Sequence, residues 1–227
     1  MTLVIAVALA TAPRRVSAEP SSGRLIGAGL AMAVPTYVLG VATHEGSHAV
    51  VARLLGARVV AFTILPGRSP TTGAFHFGQT RVRGLSGRGE LAAFFTAPKV
   101  TDLALLGGFA ALLWAGGGRS DGAWWPDNRY GGLALTVLAT GCWVDFAKDV
   151  LAFSPHNDVN KVMSLAGLRT EWQRLPVRLA YAAANAALGA LVWQGYRRVF
   201  WPDDSTAARV GGAPTDAFAL PVFTTTF

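Results

Sequence analysis

The feature that most constrains this chain is a run of nineteen residues, 25–43, without a single charged side chain. An α-helix rises about 1.5 Å per residue, so about 20 apolar residues are enough to cross the roughly 30 Å of hydrocarbon in a bilayer. Residues 179–196 form a second uncharged run of similar length. Both runs are typical of membrane-spanning helices.

Two further segments, 91–114 and 131–144, are apolar but interrupted or short. The first contains Lys99 and Asp102, whose spacing of three would let them pair on one face of a helix. The second needs residues 145–150 to reach full length, so it should face protein or a wet cavity there. Only 15% of the residues are charged, against about a quarter in soluble domains. We therefore predict an all-α, multi-pass integral membrane protein with about four transmembrane helices, in the cell inner or plasma membrane.

The pattern divides the chain into three parts. Residues 1–23 form an N-terminal apolar segment that is either signal-like or an interfacial helix, residues 24–201 form one membrane-embedded domain, and residues 202–227 form a polar tail that we expect to be disordered. Within the domain, residues 57–65 and 73–83 are rich in β-branched and aromatic residues and are bounded by Gly and Pro. They predict a small β-hairpin directly after the first helix, although a loop with some extended structure is the alternative.

The net charge of +7 does not indicate nucleic-acid binding, because no basic run is interleaved with aromatic residues. The arginines instead serve as topology signals next to a lipid bilayer. Residues 53–88 carry six arginines and no acidic residue, which favours a cytoplasmic position for this segment. The arginine pairs at 14–15 and 197–198 do not fit that orientation, so the sequence leaves the orientation open, as it does the oligomeric state.

The chemistry is concentrated in residues 41–59, VATHEGSHAVVARLLGARV, which contain an H-E-x-x-H motif made by His44, Glu45 and His48. On a helix, residues i and i+4 share a face, so both imidazoles can reach one Zn²⁺ while the glutamate reaches a water bound to it. Zinc lowers the pKa of such a water from about 15.7 to about 7, and the carboxylate can take the proton. Ionisable side chains cost about 3 kcal/mol each near the centre of a bilayer, so these three should face a polar pocket or a metal.

The residues after the motif extend this pattern, because HEGSHAVVARLLGARVVAFTI resembles the core helix of the site-2 protease class of intramembrane zinc metalloproteases, peptidase family M50. The matching positions are His44, Glu45, His48, Ala52, Arg53, Gly56, Val59 and Phe62. The resemblance implies one zinc ion, Glu45 as the catalytic general base and membrane-protein substrates. It also implies a β-rich segment after this helix that presents substrate as an added strand.

A zinc site of this type needs a third protein ligand. The resemblance implies an aspartate in a Pro-x-x-Asp-Gly context, which Pro155 and Asp158 match, with Val159 in place of the glycine. Asp158 could instead cap a helix over residues 159–168. The next candidates are Asp145 and Asp149, followed by His156 and His76. Asn157 or Asn160 could bind the substrate carbonyl or the ligand carboxylate.

The chain also departs from the family in its second core helix, where Pro98 matches Gly-Pro-x-x-Asn but Thr101 replaces the asparagine. Three functions follow from these observations. The first is an intramembrane zinc metalloendopeptidase that hydrolyses peptide bonds in or near transmembrane segments. The second is a catalytically inactive M50-like membrane protein that binds a partner, and the third is a zinc peptidase site held outside the membrane. Di-iron lipid desaturases are excluded, since their sites need many more than four histidines.

Overall fold

The computed structural model describes residues 19–68, 73, 75–118, 125–126, 128–151 and 157–202. Within these residues the chain is mostly helical. Helix α1 spans Ser22–Leu54, α2 spans Arg88–Gly118, α3 spans Arg129–Leu151, α4 spans Asp158–Leu165 and α5 spans Glu171–Phe200. Most of the N-terminal segment and nearly all of the C-terminal tail lie outside the described residues, so the predictions for them stay predictions.

Four of these helices are long and apolar enough to cross a membrane, as judged by length and composition. They are α1, α2, α3 and α5, and each contains one of the four apolar segments of the sequence. The middle of α1 exposes large apolar side chains, Leu30 and Val34 among them, which suits contact with lipid. The number of membrane-spanning candidates therefore agrees with the sequence, and each helix is longer than the apolar segment it contains.

The predicted hairpin follows α1. Strand β1, Arg58–Thr63, pairs antiparallel with β4, Gln79–Arg83, and the short strands β2, Gly67–Arg68, and β3, Phe75–His76, form a second pair between them. Gly56 ends the helix with a φ of +79°, a left-handed conformation that glycine adopts without steric cost. This turn sends the chain directly from α1 into β1.

Three clusters of buried apolar residues hold the helices together, and one of them joins α1, α3 and α5 through Leu25, Leu133, Val137 and Val199. Near the hairpin, Ala52 on α1 and Ala57 pack against Phe94 on α2. Deeper in the bundle, buried apolar residues of α2, α3 and α5 form the main core: Leu106, Phe109, Leu113, Ala139 and Val192. The second half of α1 is thus wedged between the hairpin, α2 and α3, and this is where the histidine motif lies.

Candidate metal centre

The two motif histidines lie on one face of α1, one turn apart, with ring centroids separated by 5.1 Å. This is the arrangement that the H-E-x-x-H spacing predicts for a helix. His48 and Glu45 are buried, and His44 is nearly so. The motif therefore faces the protein interior and not the outer surface of the helix bundle.

Asp158 completes a group of three potential metal ligands. Its Oδ2 atom lies 3.1 Å from Nε2 of His48 and 3.4 Å from Nε2 of His44. One ligand atom from each of the three residues lies within 4.8 Å of the others. Asp158 is the first residue of α4, and Asn157 is the N-cap, its side chain accepting a hydrogen bond from the backbone N–H of Asn160. The alternative role of Asp158 as the helix cap is therefore taken by its neighbour.

The outer nitrogens of both imidazoles are held by acceptors. Nδ1 of His44 lies 2.9 Å from Oδ2 of Asp145, and Nδ1 of His48 lies 2.8 Å from the backbone oxygen of Phe94. A carbonyl or carboxylate oxygen only accepts, so the N–H of each ring must point outward. Each neutral ring then presents the lone pair of its Nε2 atom to the Asp158 carboxylate. Lone pairs of the two Nε2 atoms and of the Asp158 carboxylate therefore converge on one point. This arrangement is stable only with a cation or added protons between them.

The separations also fit a zinc ion. Zinc binds imidazole nitrogen and carboxylate oxygen at about 2.0 to 2.2 Å, so two ligands in a tetrahedral site are about 3.4 Å apart. The Asp158–imidazole distances of 3.1 and 3.4 Å match this value. An aspartate carboxyl ordinarily has a pKa of about 3.9, and Nζ of Lys161, 3.1 Å from Oδ1 of Asp158, favours its ionised form further. The carboxylate is thus in the anionic form that binds a cation, and these three residues could hold a metal.

Glu45 lines the same cleft as the three ligands. The hairpin reaches it through Gly78, because a methyl group at that position would lie 2.8 Å from Cγ of Glu45 and 2.6 Å from Cγ1 of Val41. Next to it, the Thr80 hydroxyl donates to the backbone oxygen of Glu45 over 3.0 Å. The hairpin is therefore docked directly against the motif, and only a glycine permits the approach.

The other sequence candidates occupy different places. Asp145 contacts the outer nitrogen of His44, so it supports a ligand instead of joining the three ligand atoms. Asp149 forms an ion pair with Lys99 and also lines the cleft. His76 lines the cleft from β3, whereas His156 lies outside the described residues.

The two candidate asparagines, Asn157 and Asn160, lie at the start of α4 and hold that helix in place. Asn157 lines the cleft in addition to capping α4, and Asn160 is almost fully buried, with its Oδ1 accepting a hydrogen bond from Arg178. Thr101 accepts a hydrogen bond from the Ser47 hydroxyl over 2.8 Å and so links α2 to the motif helix. The predicted contacts of Asn157 and Asn160 with substrate stay predictions.

Two neighbouring cavities meet at this site. The cleft around the histidines has a volume of about 450 Å³. A larger cavity of about 640 Å³, lined mostly by apolar residues, lies between α1 and α3. Lys148 lines both, and Asp145 lines the larger one. The apolar groove between the helices therefore borders the polar cleft.

Sequence reasoning missed three features of the centre. The Phe94 carbonyl carries no side-chain signal, so its contact with His48 could not be anticipated. Gly78 had a weak signal, because an isolated glycine in a strand pattern often marks close backbone approach. Lys99 had a stronger one: a charged residue within a membrane helix marks a functional partner, although the sequence pointed only to Asp102.

No protein-family model, no curated protein and no solved structure matches this chain. The function is therefore argued from the residues and the geometry of the site.

Proposed function

We propose that this protein is an intramembrane zinc metalloendopeptidase of the site-2 protease kind, which hydrolyses peptide bonds in or near transmembrane segments of other membrane proteins. The observation that carries the proposal is the orientation of the two imidazoles. Both Nε2 atoms face the Asp158 carboxylate, while both Nδ1 atoms are held from behind by Asp145 and Phe94. Glu45 lies in the same cleft, on a helix long and apolar enough to span a bilayer.

In this proposal His44, His48 and Asp158 would hold one zinc ion, since catalytic zinc sites use three protein ligands. The bound ion supplies Lewis-acid chemistry, polarising a carbonyl and activating water near neutral pH. Glu45 is the general base, since its carboxylate accepts the proton of the attacking water. Because these side chains are largely buried, the Glu45 carboxylate and the imidazoles act in a medium of lower dielectric constant than water.

The substrate class is inferred from the surroundings of the cleft. The apolar cavity between α1 and α3 could receive an apolar segment at the level of the membrane and bring it beside the polar cleft. A helical peptide bond hides its carbonyl in the backbone ladder, so the segment must unwind before cleavage. We expect glycine, proline or other helix-weakening residues in the substrate to ease that step.

A second candidate function is a catalytically inactive membrane protein that keeps the fold and acts by binding a partner. It is favoured by Thr101 and Val159, which stand where the family has asparagine and glycine. Thr101 is engaged with Ser47 and not with the histidines in the contacts described above. The two candidates make opposite predictions for Glu45.

The test uses purified full-length protein in detergent and a set of single-span test proteins whose apolar segments contain glycine and proline. Wild type is expected to bind one zinc per chain and to cleave members of the set. Glu45→Gln is expected to retain the zinc and to lose about 10²- to 10⁴-fold in cleavage rate, the usual contribution of a general base. Gly46→Ala is the matched control, because a methyl group at Gly46 meets no neighbouring atom.

Equal cleavage by wild type and Glu45→Gln would overturn the enzymatic proposal. Zinc bound by wild type without cleavage of any test segment would favour the binding function instead. Protein that takes up no zinc would contradict the peptidase and leave the partner-binding function standing.

A further inference from the structure

We propose that Lys99 is a positioning residue for the metal centre: it holds the Asp145 carboxylate in place behind His44, so that Nε2 of His44 faces the metal position. The inference rests on the proposed metal centre, but not on peptidase activity. It concerns a lysine in the middle of α2 that touches none of the three ligands in the contacts described here.

The contacts of Lys99 converge on Asp145. Its Nζ atom lies 3.0 Å from Oδ2 of Asp145 and 2.6 Å from the backbone oxygen of the same residue. Asp149 Oδ2 lies 3.0 Å away and Asp102 Oδ2 lies 3.7 Å away. The lysine side chain is only 7% exposed. One ammonium group is thus enclosed by three aspartates from α2 and α3.

The critical atom is Oδ2 of Asp145, because it contacts both Lys99 and Nδ1 of His44. The other oxygen, Oδ1, accepts from Lys148. Each oxygen of this carboxylate therefore has a cationic partner, and the carboxylate cannot rotate without breaking an ion pair. A fixed carboxylate fixes the ring of His44, its N–H position and the direction of its Nε2 lone pair.

A purely structural role would not need this arrangement. Ionisable groups inside a membrane helix bundle cost several kcal/mol and are rare unless they have a function. A buried ion pair also often contributes no more stability than apolar residues of the same size. The oxygen shared by Lys99 and His44, Oδ2 of Asp145, gives a reason to keep this costly cluster, because it links the cluster directly to a motif histidine.

The experiment measures zinc affinity by chelator competition on purified full-length protein in detergent. The variants are Lys99→Met, Asp145→Asn and the double variant. Loss of a group that orients a metal ligand typically weakens metal binding 10- to 100-fold, and we expect this for each single variant. Because Lys99 acts through Asp145, the double variant should bind zinc no more weakly than Asp145→Asn alone.

Thr136→Val is the matched control. Thr136 is buried in α3 and its hydroxyl donates to the backbone oxygen of Gly132, so the variant also removes a buried polar group from the same helix. It lies about two and a half turns from Asp145 and should leave zinc affinity unchanged. If Lys99→Met does not fold, Lys99→Met/Asp149→Asn removes one charge of each sign from the cluster and tests the same expectation.

Four results separate the possibilities. Wild-type zinc affinity in the lysine variants would overturn the inference, and so would a double variant whose loss is the product of the two single losses. Wild-type protein that binds no zinc would instead overturn the proposed metal centre. Zinc binding without peptidase activity would leave the inference intact, because affinity is its readout.

Discussion

Oδ2 of Asp158 lies 3.1 Å from Nε2 of His48, although 110 residues separate the two in the chain. The contact joins the second half of α1 to the first residue of the short helix α4. Neither helix could form a three-ligand site alone, because the motif supplies two ligands and catalytic zinc sites use three. The predictions below concern what creates and supports this contact.

Asp158 rather than Asp149 is expected to be the third ligand. Replacing Asp158 with asparagine should weaken zinc binding by more than about 100-fold, beyond the usual loss for a residue that only supports a ligand. Asp149→Asn changes another buried carboxylate of the same cleft and should lose less. Zinc titration of both variants checks this, and the reverse ranking would assign the ligand to Asp149.

Removal of the metal is expected to destabilise the protein. A ligand at 100 times its dissociation constant stabilises the folded state by about 2.7 kcal/mol, provided that it does not bind the unfolded chain. Chelation should therefore lower the apparent melting temperature of wild type measured in detergent. Asp158→Asn serves as the control and should show no such change, since it has little bound metal to lose.

Gly78→Ala is expected to disturb the general base while sparing the metal. The added methyl group would approach Cγ of Glu45 to 2.8 Å, closer than side-chain carbons normally lie, so the hairpin or Glu45 must shift. We expect the cleavage rate to fall at least about tenfold with zinc content unchanged, since a misplaced catalytic group is costly.

Gly46→Ala controls for the loss of a glycine near the same residue, because its methyl group would meet no atom within 4 Å. Zinc loss in Gly78→Ala, or equal cleavage rates for both glycine variants, would contradict the prediction that the methyl group at position 78 acts by displacing Glu45.

The cap of α4 is expected to influence zinc binding from outside the ligand set. Asn157→Ala removes the side chain that accepts from the backbone N–H of Asn160, a loss of about 1 kcal/mol for a typical helix cap. If the whole of that loss of free energy is spent in holding Asp158 in its ligand position, zinc affinity falls up to about fivefold. Asn157→Ser keeps a capping oxygen and should retain most of the affinity. Equal affinities for the alanine and serine variants would exclude a role for the cap.

The membrane-type helices and the hairpin could be predicted from the sequence because their signals are local. The uncharged run 25–43 requires a helix wherever water is excluded, and the β-branched run after Gly56 cannot continue that helix. The boundaries were less predictable. Helix α1 extends through the histidine motif to Leu54, because the polar residues face α2, α3 and α4 instead of ending the helix.

The site, too, has some features that local sequence signals predict and others that they do not. The pair His44 and His48 follows from helical periodicity alone, and Asp158 could be proposed by resemblance, with Asp145 and Asp149 as rivals. The resemblance placed Asp158 first, but the chemistry of the three aspartates does not rank them, because the choice depends on which helix turns toward α1. The structure separates them: Asp158 faces the Nε2 atoms, Asp145 holds the opposite nitrogen of His44, and Asp149 pairs with Lys99.

The sequence by itself determined that this chain forms long apolar helices and that one of them carries two imidazoles one turn apart, with a carboxylate directly after the first. Periodicity and hydrophobicity act between near neighbours, so they can be read without knowing the fold. Only the tertiary structure decided which nitrogen of each imidazole faces inward, which aspartate it meets, and that a buried lysine lies behind the site. Those relations depend on distances between residues far apart in the chain, and these distances are fixed by how the helices pack.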